Sequence, residues 1–172
     1  MWRWDQGRLL YFQFDVLRNI AKSLVKFDGV DISKCEKLFR ETLVKETGMP
    51  FLPNHYTVKR NYSRVFQCSF LAIFSGNRLI VTDICRDLAN ANGNIKSVDD
   101  YLFNYICRFR FPFPAFDNYD TVQQRIYPFC AIMKLLIAQR ENGLEPKLSL
   151  DDIFKYIIGN SCTGFEDIEY YK

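Results

Sequence analysis

The sequence predicts a mainly α-helical fold with a short β wing, of the winged-helix or helix-turn-helix class and arranged as two tandem lobes. Three observations predict it. Apolar residues recur at the i, i+3, i+4, i+7 spacing of an amphipathic helix in several segments. The stretch 57–90 predicts a polar-faced helix, a tight turn, a short strand and a new helix without a gap. Ser-x-Asp-Asp, a common helix start, occurs at 97–100 and again at 149–152.

Length and composition are those of a folded protein. The chain has 172 residues, of which 48% are apolar and 16% aromatic. A chain of this length buries about 70% of its unfolded surface, enough for one domain or two small lobes. The net charge is only +3, so contact with nucleic acid requires a local cluster of basic residues and not a strongly basic whole.

Targeting and cysteine patterns predict a cytoplasmic protein with no membrane partner. The sequence begins without an apolar run of signal-peptide length and contains no apolar run of the roughly 18 residues that a membrane helix needs. The cysteines form no CxxC pair and lie far apart, mostly within apolar helical patterns, which predicts buried free thiols and no zinc site or disulfide. They are Cys35, Cys68, Cys85, Cys107, Cys130 and Cys162.

The amino-terminal segment predicts an aromatic arm. Trp2 and Trp4 alternate with polar residues ahead of a turn. One interpretation is an arm that packs both tryptophans on the body of the protein. The other is an arm whose Arg3, Gln6 or Arg8 also contacts DNA.

The first two helices follow from apolar spacing and capping residues. Residues 14–27 keep the spacing of an amphipathic helix, which Gly29 ends. Ser33 and Glu36 have the spacing of a capping box that opens a second helix, and Gly48 closes it. The residues of this helix predicted to face the core are Cys35, Leu38, Phe39 and Leu43.

A third helix is predicted from Asn61, whose side chain can cap it, to about Phe74. Residues 75–77 then break the helix with turn chemistry, residues 79–81 form a strand, and Thr82 caps a further helix. The apolar face of the third helix comprises Val65, Phe66, Phe70 and Ile73.

The polar face of this third helix predicts contacts with double-stranded DNA. Arg64 and Gln67 lie about one turn apart and can bond guanine and adenine edges in a major groove. The surrounding residues carry donors suited to the phosphate backbone. They are Lys59, Arg60, Asn61, Tyr62, Ser63 and Arg78. This set is typical of a recognition helix with a wing, and the alternative is an ordinary solvated helix face.

Lys59 and Arg60 stand at a helix start, where cations are unfavourable with the helix dipole. Their position therefore predicts a partner for them. A DNA phosphate and a nearby carboxylate are the two alternatives.

The second half of the chain predicts an extended strap and more helices. Residues 98–109 form a helix capped by Ser97, and the prolines and phenylalanines of RFRFPFPAFD indicate an extended segment after it. An apolar helix begins at Tyr127-Pro128 and runs to about Arg140, and another follows SLDD. A further helix begins within 163–171, which predicts an incomplete unit and a longer parent protein.

These elements divide the chain into three parts. The first, 1–110, is a winged-helix lobe with the aromatic arm. The second, 111–127, is the extended strap. The third, 128–172, is a second helical, winged-helix-like lobe that the end of the chain truncates.

The sequence lacks a recognisable catalytic constellation. Its one histidine, His55, lies in a proline-flanked loop, and there is no GxSxG, HExxH, glycine-rich phosphate loop or EF-hand loop. Glu145 and Lys147 have the bare Glu-x-Lys spacing of some metal-dependent nucleases. The intervening proline disfavours a strand, so we interpret this segment as a loop between two helices.

Five segments of the sequence resemble the amino-terminal specificity part of certain type II restriction endonucleases. They are WRWDQGRLLYFQFDVLRNIAKSLV, RNYSRVFQCSFLA, RLIVTDICRDLA, RFRFPFPAF and YPFCAIMKLLIA. The resemblance implies tandem winged-helix lobes that read a short duplex sequence, with Arg64, Gln67 and their neighbours at the DNA. It also implies a separate carboxy-terminal nuclease domain that cuts with Mg²⁺. The nuclease motif is absent from this sequence, which predicts a non-catalytic chain without a cofactor of its own.

A helical protein-interaction domain with no affinity for nucleic acid is the alternative function. The segment RFRFPFPAFD and the two amino-terminal tryptophans would then form an apolar docking surface.

Overall fold

The computed structural model describes residues 10–110, 126–158 and 163–171. Within them the protein is mainly helical with a small two-stranded antiparallel sheet, which confirms the predicted class at this level. The chain divides into two compact units, Met1–Leu102 and Phe103–Lys172. Several predicted features lie outside the described residues: the arm with Trp2, Arg3, Trp4, Gln6 and Arg8, most of the strap, and Cys162.

The first unit is built around helix α1, Phe14–Val25, which packs against two other helices of the unit. The helix buries one stripe of side chains at the predicted spacing, and it ends two residues before Phe27, which is itself buried. The largest fully buried side chains of this unit are Leu17, Ile20, Leu24, Ile32, Phe39, Leu43, Phe51, Phe66, Leu71, Leu79, Leu88 and Ile95.

Helix α2, Glu36–Thr47, starts differently from the prediction. A short 3-10 helix, Ile32–Lys34, precedes α2 and contains Ser33. The N-cap of α2 is Cys35, so Ser33 does not cap α2. The Glu36 carboxylate accepts a hydrogen bond of 2.6 Å from the Val58 amide, in the next helix, instead of reaching back to Ser33. The capping box predicted at this helix start is therefore wrong.

The core-facing residues predicted for α2 are confirmed only in part. Phe39 and Leu43 are fully buried. Leu38 is 58% exposed and Cys35 is half-buried, so the predicted core positions of these two are wrong. The helix ends at Gly48, as predicted, and this glycine has the left-handed backbone conformation that suits it, with φ 67°.

Helix α3, Val58–Cys68, begins one turn earlier than predicted. Its N-cap is Thr57, whose hydroxyl accepts a hydrogen bond of 3.2 Å from the Arg60 amide. Asn61 therefore lies inside the helix, and the prediction that it is the cap is wrong. Threonine and asparagine both favour the N-cap position, so residue type alone did not decide between them.

The end of α3 also differs, because the chain leaves the helix at Cys68 and not near Phe74. Phe70 has a left-handed backbone, with φ 56°, and its amide donates to the Gln67 carbonyl at 3.0 Å. The Leu71 amide donates to the Phe66 carbonyl at 2.8 Å. This pair of bonds is the Schellman ending, in which glycine usually takes the left-handed position. Because Phe70 is apolar and fits the helical spacing, the sequence pattern did not indicate that the helix ends before it.

A β-hairpin follows α3. Strand β1, Ala72–Ser75, pairs antiparallel with strand β2, Arg78–Val81. Gly76, with φ 59°, is the first residue of the two-residue turn, where a positive φ favours glycine. The predicted strand is confirmed and is one residue longer. In β1, residues 72–74 were predicted to be helical and Ser75 was predicted to lie in the turn.

The short connection between α1 and the 3-10 helix lies along the other edge of β2, where Asp31 and Arg78 form an isolated β-bridge. The Gly29 amide donates to the Leu79 carbonyl at 2.8 Å, and the Leu79 amide donates to the Val30 carbonyl at 3.0 Å. The Ile32 amide donates to the Asn77 carbonyl at 3.0 Å. The order along the chain is therefore helix, bridged connection, helix, helix and hairpin, with the connection hydrogen-bonded to the second hairpin strand.

Two further helices start at the predicted caps. Helix α4, Asp83–Ala89, begins after Thr82, whose hydroxyl accepts a hydrogen bond of 3.1 Å from an amide of the first turn. Helix α5, Val98–Arg108, begins after Ser97. The Ser97 hydroxyl accepts from the Asp100 amide at 3.1 Å, and the Asp100 carboxylate accepts from the Ser97 amide at 2.9 Å. Both predicted caps are confirmed.

The second unit contains helix α6, Pro128–Glu141, which confirms the predicted start and extends the predicted end by one residue. Helix α7, Leu150–Asp152, carries the predicted capping box at Ser149 and continues as a π-helix, Ile153–Ile158. Ala131 and Ile157 form a buried cluster among the described residues of this unit. The helix predicted to begin in the last segment is represented by a 3-10 helix, Ile168–Tyr171.

Glu166 holds the last described segment together. Its carboxylate accepts hydrogen bonds from the amide and the hydroxyl of Thr163, at 2.5 and 2.8 Å, and from the hydroxyl of Tyr171 at 2.8 Å. Burial alone would raise the pKa of this carboxyl, but the hydrogen bonds from Thr163 and Tyr171 lower it to about 2. Glu166 is therefore ionised at neutral pH and satisfied within its own unit.

The described cysteines are free thiols. Only Cys85 is buried, Cys107 is exposed, and the other three are half-buried, so the prediction of buried thiols holds for one of them. Burial raises the pKa of Cys85 to about 12. Among the described segments, no helix is both long and apolar enough to cross a membrane.

Candidate nucleic-acid interface

Helix α3 has one buried face and one polar face. Its buried residues are Val58, Tyr62, Val65 and Phe66. On the opposite side Arg60 and Arg64 are exposed, and Ser63 and Gln67 beside them are half-buried. Because Arg60, Arg64 and Gln67 have i, i+4, i+7 spacing, they lie in one row along the helix. The structure therefore brings together four of the residues predicted to contact DNA.

Tyr62 does not belong to this polar face. Its side chain is only 3% exposed, and its hydroxyl donates to the Leu52 carbonyl at 2.8 Å. Its ring packs against Phe51, with centroids 4.7 Å apart. The prediction that Tyr62 donates to a phosphate is wrong, because Tyr62 stands four residues before Phe66 and shares its buried face.

Asn61 also has another role than the predicted one. It is half-buried in the second turn of α3, and its Nδ2 atom is buried with no hydrogen-bond partner in the described part of the chain. An amide enclosed in this way is not presented to a duplex.

Lys59 joins α3 to the tip of the hairpin. Its Nζ donates to the Gly76 carbonyl at 2.6 Å and to the Asn77 side-chain oxygen at 3.0 Å. The same ammonium lies 5.8 Å from the centre of the Phe74 ring. Lys59 therefore fixes the hairpin turn relative to the first turn of the helix.

Arg60 lies on an aromatic ring from the preceding loop. Its Cζ atom is 3.8 Å from the centre of the Tyr56 ring. The His55 ring packs on the same tyrosine, with centroids 4.2 Å apart. These three residues form an exposed cluster at the start of the polar face, and the sequence pattern assigned no role to Tyr56.

The start of α3 has a carboxylate partner. Glu36 accepts from the Val58 amide and pairs with Arg40 at 3.2 Å. Arg40 also donates to the Phe51 and Tyr56 carbonyls of the connecting loop. Glu36 is not the carboxylate partner that was expected for Lys59 and Arg60, because it binds the helix amide and Arg40. Lys59 bonds to the hairpin turn and Arg60 lies over the Tyr56 ring instead. Glu36 and Arg40 were not among the predicted site residues, because the contact between Glu36 and Val58 joins two helices that are distant in sequence.

Arg64 and Gln67 occupy the middle and the end of the polar row. Arg64 is exposed and stands four residues before Cys68. Burial raises the pKa of the Cys68 thiol to about 11, against the opposing charge of Arg64. The thiol is therefore neutral at physiological pH, so it does not reduce the positive charge of the row.

The hairpin presents a mixed face to solvent. Ile73 and Ile80 form a cross-strand pair on its outer side, 49% and 38% exposed, and the next pair on that side is Ser75 with Arg78. Arg78 lies near Asp31, whose pKa is lowered first by the Ser33 hydroxyl and in smaller part by the charge of Arg78. Arg78, the predicted wing residue, is therefore exposed. Ile73 was predicted to lie on the apolar face of the third helix, and this prediction is wrong because Ile73 is exposed on the hairpin.

The Glu-x-Lys pair that was considered as a nuclease motif lies on the surface. Glu145 and Lys147 lie in an exposed loop, as predicted, and pair with each other at 2.5 Å. Over residues 10–110, 126–158 and 163–171, no group of three or more His, Cys, Asp and Glu side chains has the arrangement of a metal site.

Comparisons of the chain with profiles of known protein families, with curated proteins and with solved structures found no match.

Proposed function

We propose that the first unit binds double-stranded DNA sequence-specifically as a winged-helix lobe. In this proposal α3 enters the major groove and the β1–β2 hairpin is the wing. The observation that carries the proposal is the row of Arg60, Arg64 and Gln67 on the solvent side of α3, directly ahead of a hairpin that exposes Arg78.

The connectivity of the first unit supports this assignment. A winged helix consists of a helix, a short strand, two helices and a hairpin, and its first strand pairs with the last. Here the segment around Val30 pairs with β2 through hydrogen bonds with Leu79, and it lies between α1 and α2. The helix directly before the hairpin is α3, which occupies the position of the recognition helix.

The side chains of this surface divide into two roles. Arg64 and Gln67 suit base edges, because a guanidinium can bond guanine O6 and N7 and a carboxamide can bond adenine N6 and N7. Ser63 and Arg78 suit phosphate oxygens. Lys59 supports the wing through its bonds to the hairpin turn.

We further propose that this chain is the DNA-recognising part of a type II restriction endonuclease. The support is the resemblance of the five sequence segments, of which RNYSRVFQCSFLA contributes Arg60, Ser63, Arg64 and Gln67. Cleavage would then belong to a nuclease domain outside this chain, with Mg²⁺ as its cofactor. The 172-residue chain would bind its target without cutting it.

Selection from a random duplex pool tests the proposed function. The purified chain is incubated with the pool at near-physiological salt, and the bound duplexes are sequenced over several rounds. We expect enrichment of one short motif. No enrichment, together with no binding at low salt, would overturn the proposal and leave a helical protein-interaction domain as the better function.

Charge reversal on the polar row supplies the matched control. Arg64→Glu should abolish binding to the selected duplex. Lys147→Glu makes the same change of charge at an exposed loop of the second unit and should leave binding unchanged. Equal affinity of the Arg64→Glu variant and the unmodified protein would exclude α3 as the reading helix.

A further inference from the structure

Arg60 has the closest cation–ring contact among the described residues. Its Cζ lies 3.8 Å from the Tyr56 ring centre, whereas the contacts of Arg18, Lys59 and Lys155 with their rings measure 5.1, 5.8 and 4.9 Å. At 3.8 Å the guanidinium lies in contact with the face of the ring, the arrangement in which a planar cation can stack on it. Stacking leaves the N–H donors at the edge of the guanidinium available to a third group.

The backbone that carries the ring beneath Arg60 is held to the fold. The Tyr56 carbonyl accepts a hydrogen bond from Arg40, and the Tyr56 amide donates to the Pro53 carbonyl at 3.3 Å. Arg40 is attached to α2 and pairs with Glu36, whose carboxylate also binds the first amide of α3. The platform and the helix that carries Arg60 are thus held by the same ion pair.

The stack lies on the surface that faces the proposed ligand. Arg60 is exposed and begins the row that continues with Arg64 and Gln67. An arginine on a flexible stem loses rotamer freedom when it binds, and a side chain that is already held loses less. An exposed guanidinium held over an aromatic face suits a ligand with two acceptors side by side, because its N–H donors form a planar fork.

We infer that Tyr56 is a positioning residue that orients Arg60 for a paired acceptor on DNA, an inference that rests on the proposed function. The paired acceptor is either the O6 and N7 atoms of one guanine or two oxygens of one phosphate. Tyr56 acts through Arg60, and its aromatic face, not its hydroxyl, is the part that the role requires.

Equilibrium binding to the selected duplex tests this inference. The variants are Tyr56→Phe, which keeps the ring, Tyr56→Leu, which removes it, Arg60→Lys, which keeps the charge but loses the planar donor fork, and the double variant Tyr56→Leu with Arg60→Lys. We expect Tyr56→Phe to bind within about twofold of the unmodified protein and Tyr56→Leu to bind about tenfold more weakly. The double variant should bind no more weakly than Arg60→Lys alone, because both changes remove one interaction.

Two further measurements identify the acceptor. Each variant is measured against duplexes with single base-pair changes and over a series of salt concentrations. If Arg60 binds a guanine, Tyr56→Leu loses discrimination at one position of the motif. If it binds a phosphate, affinity falls equally for all duplexes and the salt slope decreases by about one unit. Either result supports the positioning role.

Three outcomes would overturn the inference. Unchanged binding by Tyr56→Leu would show that the stack is unnecessary, and equal losses in Tyr56→Phe and Tyr56→Leu would assign the effect to the hydroxyl. Additive losses in the double variant would make the two residues independent. In all three the unmodified protein still binds its duplex, so the proposed function stands; if the unmodified protein binds no duplex, both fall.

Folding is controlled separately. Tyr56 is 37% exposed, outside the buried core, so Tyr56→Leu should melt at the temperature of the unmodified protein. If its melting temperature falls, binding is compared at a temperature at which every variant is folded. A loss of affinity by Tyr56→Leu that persists there, and that is absent in the Arg60→Lys background, supports a role of the ring through Arg60; the same loss in both backgrounds contradicts it.

Discussion

Tyr62 shows how burial changes the role of a polar side chain. Its hydroxyl donates to the Leu52 carbonyl at 2.8 Å within the core. Tyr62→Phe should therefore lower the free energy of unfolding by about 1 kcal/mol, the net value of one hydrogen bond. Affinity for DNA should stay unchanged. Urea denaturation and duplex binding measure the two effects, and Tyr56→Phe, at a partly exposed ring, is the control with no loss of stability expected.

Gly93 leaves no room for a side chain. A Cβ atom there would lie 2.0 Å from the Asp87 carbonyl oxygen, and backbone atoms cannot yield cheaply. Gly93→Ala should destabilise the first unit by about 1 to 3 kcal/mol. Gly48→Ala is the matched control, since a Cβ at Gly48 meets no atom within 4 Å and only its φ of 67° opposes the change. Urea midpoints that rank the two variants in the opposite order would contradict the packing argument.

Glu166 makes the stability of its segment depend on pH. Its folded pKa of about 2 lies below its ordinary value of 4.5, so its ionised form stabilises the fold. This stabilisation is complete above pH 4.5 and is lost as the pH falls from about 4.5 to about 2. Glu166→Gln should accordingly increase hydrogen exchange in residues 163–171 at neutral pH, with a smaller difference from the unmodified protein at pH 3. A difference that grows on acidification would contradict the assignment.

The control for Glu166 is a neighbouring carboxylate. Asp167→Asn removes the same single charge at an exposed position of the same segment. The backbone carbonyl of Asp167, which accepts from the Tyr170 amide at 3.0 Å, is retained in this variant. Asp167→Asn should therefore leave exchange in residues 163–171 unchanged at both pH values, and an effect as large as that of Glu166→Gln would point to net charge instead of the Thr163 and Tyr171 bonds.

At the scale of elements, Lys59 links the hairpin to α3. Its ammonium bonds to the Gly76 carbonyl and to Asn77. Lys59→Met keeps the apolar stem and removes these bonds, so the amides of residues 75–78 should exchange faster while the rest of the unit is unchanged. Lys37→Met, at a side chain 91% exposed, is the control. Unaltered exchange at the turn would show that the strands alone hold it.

Local patterns made some elements predictable and left others hidden. Helix α1 was predictable, to within two residues at its end, because its apolar spacing and the glycine that follows it are local features of the sequence. The end of α3 depends on Phe70 accepting a left-handed backbone, and the start of α2 depends on a bond from Val58 to Glu36, 22 residues away. Neither is visible in a short window of sequence.

The candidate site was also predictable only where local helical spacing determines it. Arg60, Ser63, Arg64 and Gln67 share a face because helical spacing dictates it. The burial of Tyr62 follows from the same spacing, four residues before Phe66, but its hydroxyl suggested a donor for DNA. The Tyr56 platform depends on the conformation of a loop that Arg40 holds, and no residue spacing encodes that conformation.

At the scale of the whole molecule, the described parts of the two units differ in the size of their cores. The first buries a dozen large side chains completely, from Leu17 to Ile95, whereas the buried apolar residues in the described part of the second are Phe109, Ala131, Ala138 and Ile157. Burial of apolar area is the main source of stability, at about 25 cal/mol per Å². The described helices of the second unit should therefore open at a lower free energy than those of the first.

Native-state hydrogen exchange in low urea measures this difference. We expect amides of α6 and of residues 150–158 to exchange through openings that cost less than those of α1 and α3. Addition of the selected duplex should raise protection throughout the first unit, because a ligand that binds only the folded state stabilises it by mass action. Equal protection of α1 and α6 at every urea concentration would instead show that the chain opens as one cooperative unit, and binding at α3 would then stabilise every helix alike.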